Sequence, residues 1–181
     1  MRDLTIRLAV AADRDSLADV EFISRNAAFL EMYGTTDGVP SLDELRNRWN
    51  IKLSGRQAII AVGEIDSVTV GYFNLCKYSD GLSFVINGLY VLPEYWGRGI
   101  GGLLINSVER VVRKISSERK MKSGSEVHNL QKPVITLEVI RENSRAAAFY
   151  RKFGYEFTGR SEPFNLDCRT IYLLEMKKIL D

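Results

Sequence analysis

The chain has 181 residues, of which 45% are hydrophobic. That is enough for one domain with a substantial core. Lys and Arg total 25 against 23 Asp and Glu, a net charge of +2. So balanced a charge gives no case for nucleic acid or a membrane surface as partner. Two cysteines, Cys76 and Cys168, form no C-x-x-C pattern, and His128 is the one histidine. No metal site is therefore expected, and reduced thiols in a cytoplasmic protein are the simplest reading. No apolar run approaches the length needed to span a bilayer, and residues 1–10 carry three charges where a signal peptide would be apolar.

In chain order, "LTIRLAV" (4–10) alternates as a strand does. Residues 13–33 carry Leu17, Val20, Ile23 and Ala27 on one helical stripe, and "GTTDGVP" (34–40) follows as a loop. Ser41 with Glu44 has capping-box spacing and opens a second helix, with Leu42, Leu45, Trp49 and Leu53 on its apolar face. "QAIIAVG" (57–63) and "VTVGYFNL" (68–75) read as a hairpin around "EIDS". "LSFVINGLYVL" (82–92) adds a third antiparallel strand. Residues 101–117 form a helix whose face is Leu104, Val108, Val111, Val112 and Ile115. The polar stretch 116–133 reads as a mobile surface loop. "VITLEVI" (134–140) is apolar enough for a central strand. A helix over 144–153 ends at Gly154, and strands at 155–159 and 169–176 flank "RSEPFNLDC". The order β-α-α-β-β-β-α-β-α-β-β predicts one α/β (α+β) domain over 1–181. Its sheet would be mixed, mostly antiparallel, of about seven strands, with about four helices on its faces.

"YWGRGIGG" (95–102) is the most informative stretch. Gly97, Gly99 and Gly102 fit G-x-G-x-x-G, the dinucleotide fingerprint. Its context fails: "PEYW" separates the loop from the preceding strand, that strand belongs to a meander, and the acids at the right distance, Glu118 and Glu126, lie in a polar stretch. No Gly-Lys-Ser/Thr closes a phosphate loop either. What remains is a glycine-rich turn feeding a helix N-terminus, where free N–H groups and the helix dipole suit a pyrophosphate. Arg98 adds a charge. A plain packing turn is the bland alternative.

"LYVLPEYWGRGIGGLL" (89–104) together with "LEVIRENSRAAAFYRKFGYEFTG" (137–159) resembles the GNAT superfamily of N-acetyltransferases. Its loop pattern, Gln/Arg-x-x-Gly-x-Gly/Ala, falls on Trp96, Gly99 and Gly101, and Trp96 departs from it. The resemblance implies acetyl-CoA as cosubstrate, its pyrophosphate on the backbone of Gly97, Arg98, Gly99, Ile100, Gly101 and Gly102. It also implies a pantetheine arm along Leu89, Tyr90 and Val91, and a contact from Asn143, which is otherwise an ordinary cap. Gly88 fits the bulge that splays this strand from the next.

Acetyl transfer to an amine needs a neutral amine, a polarised thioester carbonyl and a proton for the thiolate. A lysine-type amine, pKa about 10.4, is almost wholly protonated at neutral pH, so a base helps. Glu138, in the apolar strand, is the candidate; burial there would raise its pKa. A glutamate in a similar Leu-Glu-Val stretch is the base in this family's protein N-terminal acetyltransferases. The alternative has Glu138 facing solvent or paired with Arg141 or Arg145. The preceding strand offers Ser83 and Asn87 but no carboxylate, which leaves a water relay open. Tyr150 shares a stripe with Ala146, Phe149 and Phe153, which by itself reads as core; the resemblance makes it the acid, or a hydrogen-bond donor to the thioester sulfur.

A backbone N–H at 89–91 would polarise the carbonyl. Attack is expected to be direct, in a ternary complex. The amine acceptor, a small molecule or a peptide N-terminus, would be lined by Phe29, Tyr33, Trp49, Glu162, Phe164 and Asp167. A monomer or homodimer is expected, and a non-catalytic acetyl-CoA sensor is the rival function.

Overall fold

The structure is a computed structural model that describes residues 4–55, 58–123, 131–166 and 168–181. A seven-stranded sheet of order β1-β2-β3-β4-β5-β7-β6 forms the middle layer. Its strands are β1 (Thr5–Leu8), β2 (Ala58–Ile65), β3 (Val68–Lys77), β4 (Ser83–Val91), β5 (Val134–Ile140), β6 (Glu156–Leu166) and β7 (Arg169–Ile179). Every pairing is antiparallel except β4 with β5, which is parallel. The helices are α1 (Arg14–Tyr33), α2 (Leu42–Ser54), α3 (Ile100–Ser123) and α4 (Ser144–Lys152). The element order read from the sequence is the one observed.

Two cores hold the layers together. On one face, α1 and α2 bury Leu17, Val20, Leu45 and Trp49 against Val62 and Tyr72. On the other, α3 and α4 bury Leu104, Val108, Val112 and Tyr150 against Phe73, Phe84, Leu137 and Met176. The β2–β3 hairpin turns on Asp66 and Ser67, at φ 50° and 65°, the left-handed pair that a two-residue turn requires. It is tighter than the four-residue connection expected. Ser41 and Glu44 form the reciprocal cap of α2.

Two boundaries depart from the sequence reading. The stretch 116–133, expected to start at the helix end and run on as a loop after Ser117, is helical as far as Ser123, and Ser116 is buried; residues 124–130 lie outside the described residues. "RSEPFNLDC" is largely strand rather than connection: β6 runs on to Leu166 and pairs with β7 in a long hairpin, with an irregularity between Phe157 and Ser161.

The feature that builds the site is a separation of neighbours. β4 and β5 pair from Ser83↔Val134 to Ile86↔Leu137 and no further. On its other edge β4 carries a bulge: Asn74 faces Gly88 and Leu75 faces Ile86, so Asn87 is the extra residue. A bulge bends its strand and increases the local twist. Beyond it β4 continues to Val91 beside β3 alone, and a gap opens toward β5 and α4.

Candidate active site

Two cavities occupy this gap. One, of about 410 Å³, is lined by Leu89, Tyr90 and Val91 of β4, by Gly97, Gly99, Gly101 and Gly102, and by α4. The other, of about 640 Å³, lies on the α1–α2 side and includes Glu138 and Phe164 in its wall. Leu89, Tyr90, Asn143, Ala146 and Tyr150 line both, so the cavities meet there.

The glycines of the first cavity divide by cause. Gly97 and Gly99 sit at φ 72° and 84°, with open space where a Cβ would stand; they serve the left-handed turn. Gly101 and Gly102 instead let helices approach, since a Cβ would lie 3.2 Å from Phe149 of α4 and 3.0 Å from Phe153 just after it. The N–H of Leu103 closes the first helical bond, onto the Gly99 carbonyl. The N–H groups ahead of it, on Ile100, Gly101 and Gly102, are the open donors of a helix start. Ile100 buries its side chain in the core, so its backbone is what a ligand could meet. Arg98 does not line the cavity; its guanidinium lies 5.3 Å from the Tyr95 ring centroid.

Trp96, the departure from the family's loop pattern, has a definite place. Its indole N–H donates to the Val91 carbonyl at 2.6 Å, and the Arg145 guanidinium stacks on its ring at 3.4 Å from the centroid. The Ser24 hydroxyl donates to the same carbonyl at 3.0 Å. Trp96 therefore ties the glycine loop to the end of β4, and Arg145 to both. Arg145 and Lys152 line the cavity as cations that sequence reading missed. Their spacing from Phe149, four residues before and three after along α4, was the available signal.

Tyr150 is buried, and its ring meets Phe149 and Tyr155. Its hydroxyl has no hydrogen-bond partner among the described residues. Burial pushes its pKa well above the ordinary phenol value, and Tyr90 adds to this. Asn143 caps α4, its side chain accepting from the Ala146 N–H at 3.0 Å.

Glu138 is exposed: of the two readings, burial in a central strand and a solvent-facing position, the structure has the second. The reason is its position: it is the first β5 residue beyond the last β4 pair. On its other side it faces Glu175 of β7 in register, and the Arg160 guanidinium feels both carboxylates. Arg141 stacks on Tyr172 and Arg145 pairs with Glu31, so neither of the two expected partners is the one observed.

Of the expected acceptor residues, Phe29 and Phe164 line the second cavity. Trp49 is wholly buried core, its indole N–H held by Glu21. Glu162 pairs with Arg160 on the exposed strand β6, and the Tyr33 hydroxyl donates to Glu142. Neither Tyr33 nor Glu162 lines the cavity. Asp167 lies outside the described residues. Among the described residues, no three or more His, Cys, Asp or Glu side chains cluster as metal ligands, and no helix is long and apolar enough to cross a membrane.

A family model described as an acetyltransferase (GNAT) domain matches residues 56–157, from β2 into β6. The chain belongs to the GNAT acetyltransferase family. Its fold is that of solved GNAT structures at low identity. A GCN5-related N-acetyltransferase from Rhodopseudomonas palustris is 19% identical at TM-score 0.73, covering 99% of this chain and 98% of that one. The ribosomal-protein-S18-alanine N-acetyltransferase from Escherichia coli is 15% identical at TM-score 0.68, covering 99% and 95%. The PaiA N-acetyltransferase from Thermoplasma acidophilum, in complex with coenzyme A, is 19% identical at TM-score 0.65, covering 98% and 99%. No curated protein matches the sequence.

Proposed function

We propose that the chain transfers an acetyl group from acetyl-CoA to a primary amine by direct attack in a ternary complex. The observation that carries this is the meeting of two cavities at Tyr150, one built around a glycine-rich helix start and the other around Glu138. The first suits a CoA pyrophosphate: left-handed Gly97 and Gly99 leave the backbone bare, open N–H groups head α3, and Arg145 and Lys152 supply positive charge. The Leu89–Val91 edge that β5 has left would pair with the pantetheine amides. A solved relative in complex with coenzyme A supports the ligand class.

Each residue then has a step. Glu138 takes a proton from the acceptor ammonium, through water where direct reach fails. The neutral amine attacks the acetyl carbonyl carbon, whose oxygen is held by a backbone N–H at the β4 edge. The C–N bond forms, the C–S bond breaks, and sulfur carries away the electron pair. Tyr150 donates a hydrogen bond to that sulfur. Its raised pKa makes full transfer to a thiolate, whose conjugate thiol has a pKa of about 8.5, uphill, so it acts by hydrogen bonding, and the thiolate takes its proton from solvent. We place this activity in the cytoplasm, in keeping with free Cys76 and Cys168.

The test is thiol release from acetyl-CoA over a panel of peptides, polyamines, amino sugars and amino acids, with binding read separately by thermal shift. Acetyl-CoA should stabilise the chain and NAD should not. Turnover of any amine supports the proposal. Stabilisation by acetyl-CoA with no turnover across the panel would leave a CoA-binding sensor instead.

A further inference from the structure

Chain segments meet at and beside the second cavity. A Cβ on Gly38 would lie 2.8 Å from Leu166 Cδ1, so the 34–40 loop rests directly on the β6–β7 hairpin. The Tyr33 hydroxyl donates to Glu142 at 2.9 Å, and the Arg169 guanidinium lies 4.4 Å from the Tyr33 ring centroid. Glu31 pairs with Arg145 at 2.7 Å. These contacts tie the end of α1 and its following loop to the β5–α4 turn, α4 and β7. Gly38 and Leu166 both line the cavity, so a polypeptide crossing there would have to part them. A volume of about 640 Å³ behind them suits a small molecule.

The lining supplies a matching charge. Arg25 of α1 donates its Nε–H to Glu21 at 2.9 Å and lies 5.3 Å from the Tyr90 ring centroid. Its two terminal nitrogens have no partner among the described residues, and Arg25 lines the cavity. Glu21 is already occupied: its other oxygen accepts from Trp49 Nε1 at 3.0 Å and from the Tyr72 hydroxyl at 2.9 Å. The guanidinium is thus fixed at one edge and open at the other, the geometry that takes a carboxylate. Arg48 of α2 lines the same wall, while Glu44 beside it is committed to Ser41. Glu138 lines the cavity from β5.

We infer that the acceptor is a small primary amine bearing a carboxylate, of amino-acid size, its carboxylate held by Arg25 with Arg48. This rests on the acetyl-transfer reading and narrows it against a peptide N-terminus. The experiment compares the twenty amino acids, their carboxamides, their decarboxylated amines and alanine-initiated tetrapeptides in the thiol-release assay with the full chain. For at least one amino acid, kcat/KM should exceed that of its carboxamide and of every tetrapeptide by tenfold or more. R25Q should erase that preference through KM, and the exposed R48Q, which leaves Glu21 paired, should reduce it several-fold.

Equal rates for acid and amide, or faster tetrapeptides, overturn the inference and leave acetyl transfer standing. If no amine releases thiol, calorimetric titration of the CoA-saturated chain with the same acids and amides decides. Selective binding of an acid keeps the pocket assignment while acetyl transfer falls; no selective binding ends both.

Discussion

Gly97 and Gly99 hold a left-handed turn, whereas Gly101 and Gly102 make room for Phe149 and Phe153. The two pairs should respond differently to substitution. Gly99→Ala meets no neighbour, but its left-handed backbone costs about 1–2 kcal/mol, read as a lower unfolding midpoint. Gly101→Val drives a side chain into Phe149, so it should weaken acetyl-CoA binding at least tenfold by displacing α4, measured by calorimetry. At the reacting centre, Glu138→Gln should lower kcat by about 10²-fold or more, the usual contribution of a positioned base. Acetyl-CoA affinity should hardly change. A kcat within threefold of the parent would remove Glu138 from the mechanism. Tyr150→Phe should also lower kcat, without changing the fold, since its hydroxyl makes no protein hydrogen bond among the described residues.

At the scale of elements, the site depends on how α1 is anchored. Glu21 is buried, and three donors converge on it from α1, α2 and β3. Removing it leaves Trp49 Nε1 and the Tyr72 hydroxyl buried and unpaired, each at a cost of about 1–3 kcal/mol. Glu21→Ala should therefore lower stability by several kcal/mol in chemical unfolding, far more than Ser41→Ala, which loses one cap worth about 1 kcal/mol.

The elements also explain what sequence could carry. The apolar stripes of α1 and α3 and the β2–β3–β4 meander were legible because burial imposes a period. The last residues of α3, 118–123, and the length of β6 were not: 118–123 lacks that stripe, and β6 is exposed along almost its whole length, so no alternation marks it. Glu138 was recognisable as a candidate from its motif, yet sequence left its burial and its exposure as open alternatives. It follows from where β4 leaves β5, a fact of pairing.

For the molecule as a whole, phenols held above their ordinary pKa should set the alkaline limit. Burial raises the pKa of Tyr72, Tyr90, Tyr150 and Tyr155, and burial with the Glu142 bond pushes Tyr33 up to about 12. In the unfolded chain these groups ionise near pH 10. The folded state holds their protons longer, so their contribution to stability is complete below pH 10 and declines as pH rises through the folded values. The thermal midpoint should fall steadily from pH 10 upward, and a flat profile from pH 9 to 11.5 would contradict this burial.

The sequence by itself determined the order of elements, the family and the glycine-rich loop, because periodicity and a local motif are properties of neighbours in the chain. Tertiary structure alone decided the rest: Trp96 as a clip on Val91, Arg145 and Lys152 at the first cavity, Arg25 open toward the second, and a bridge from Gly38 to Leu166. Except for the Trp96–Val91 clip, which spans five residues, these features bring together residues far apart in the chain, around the splay of two strands.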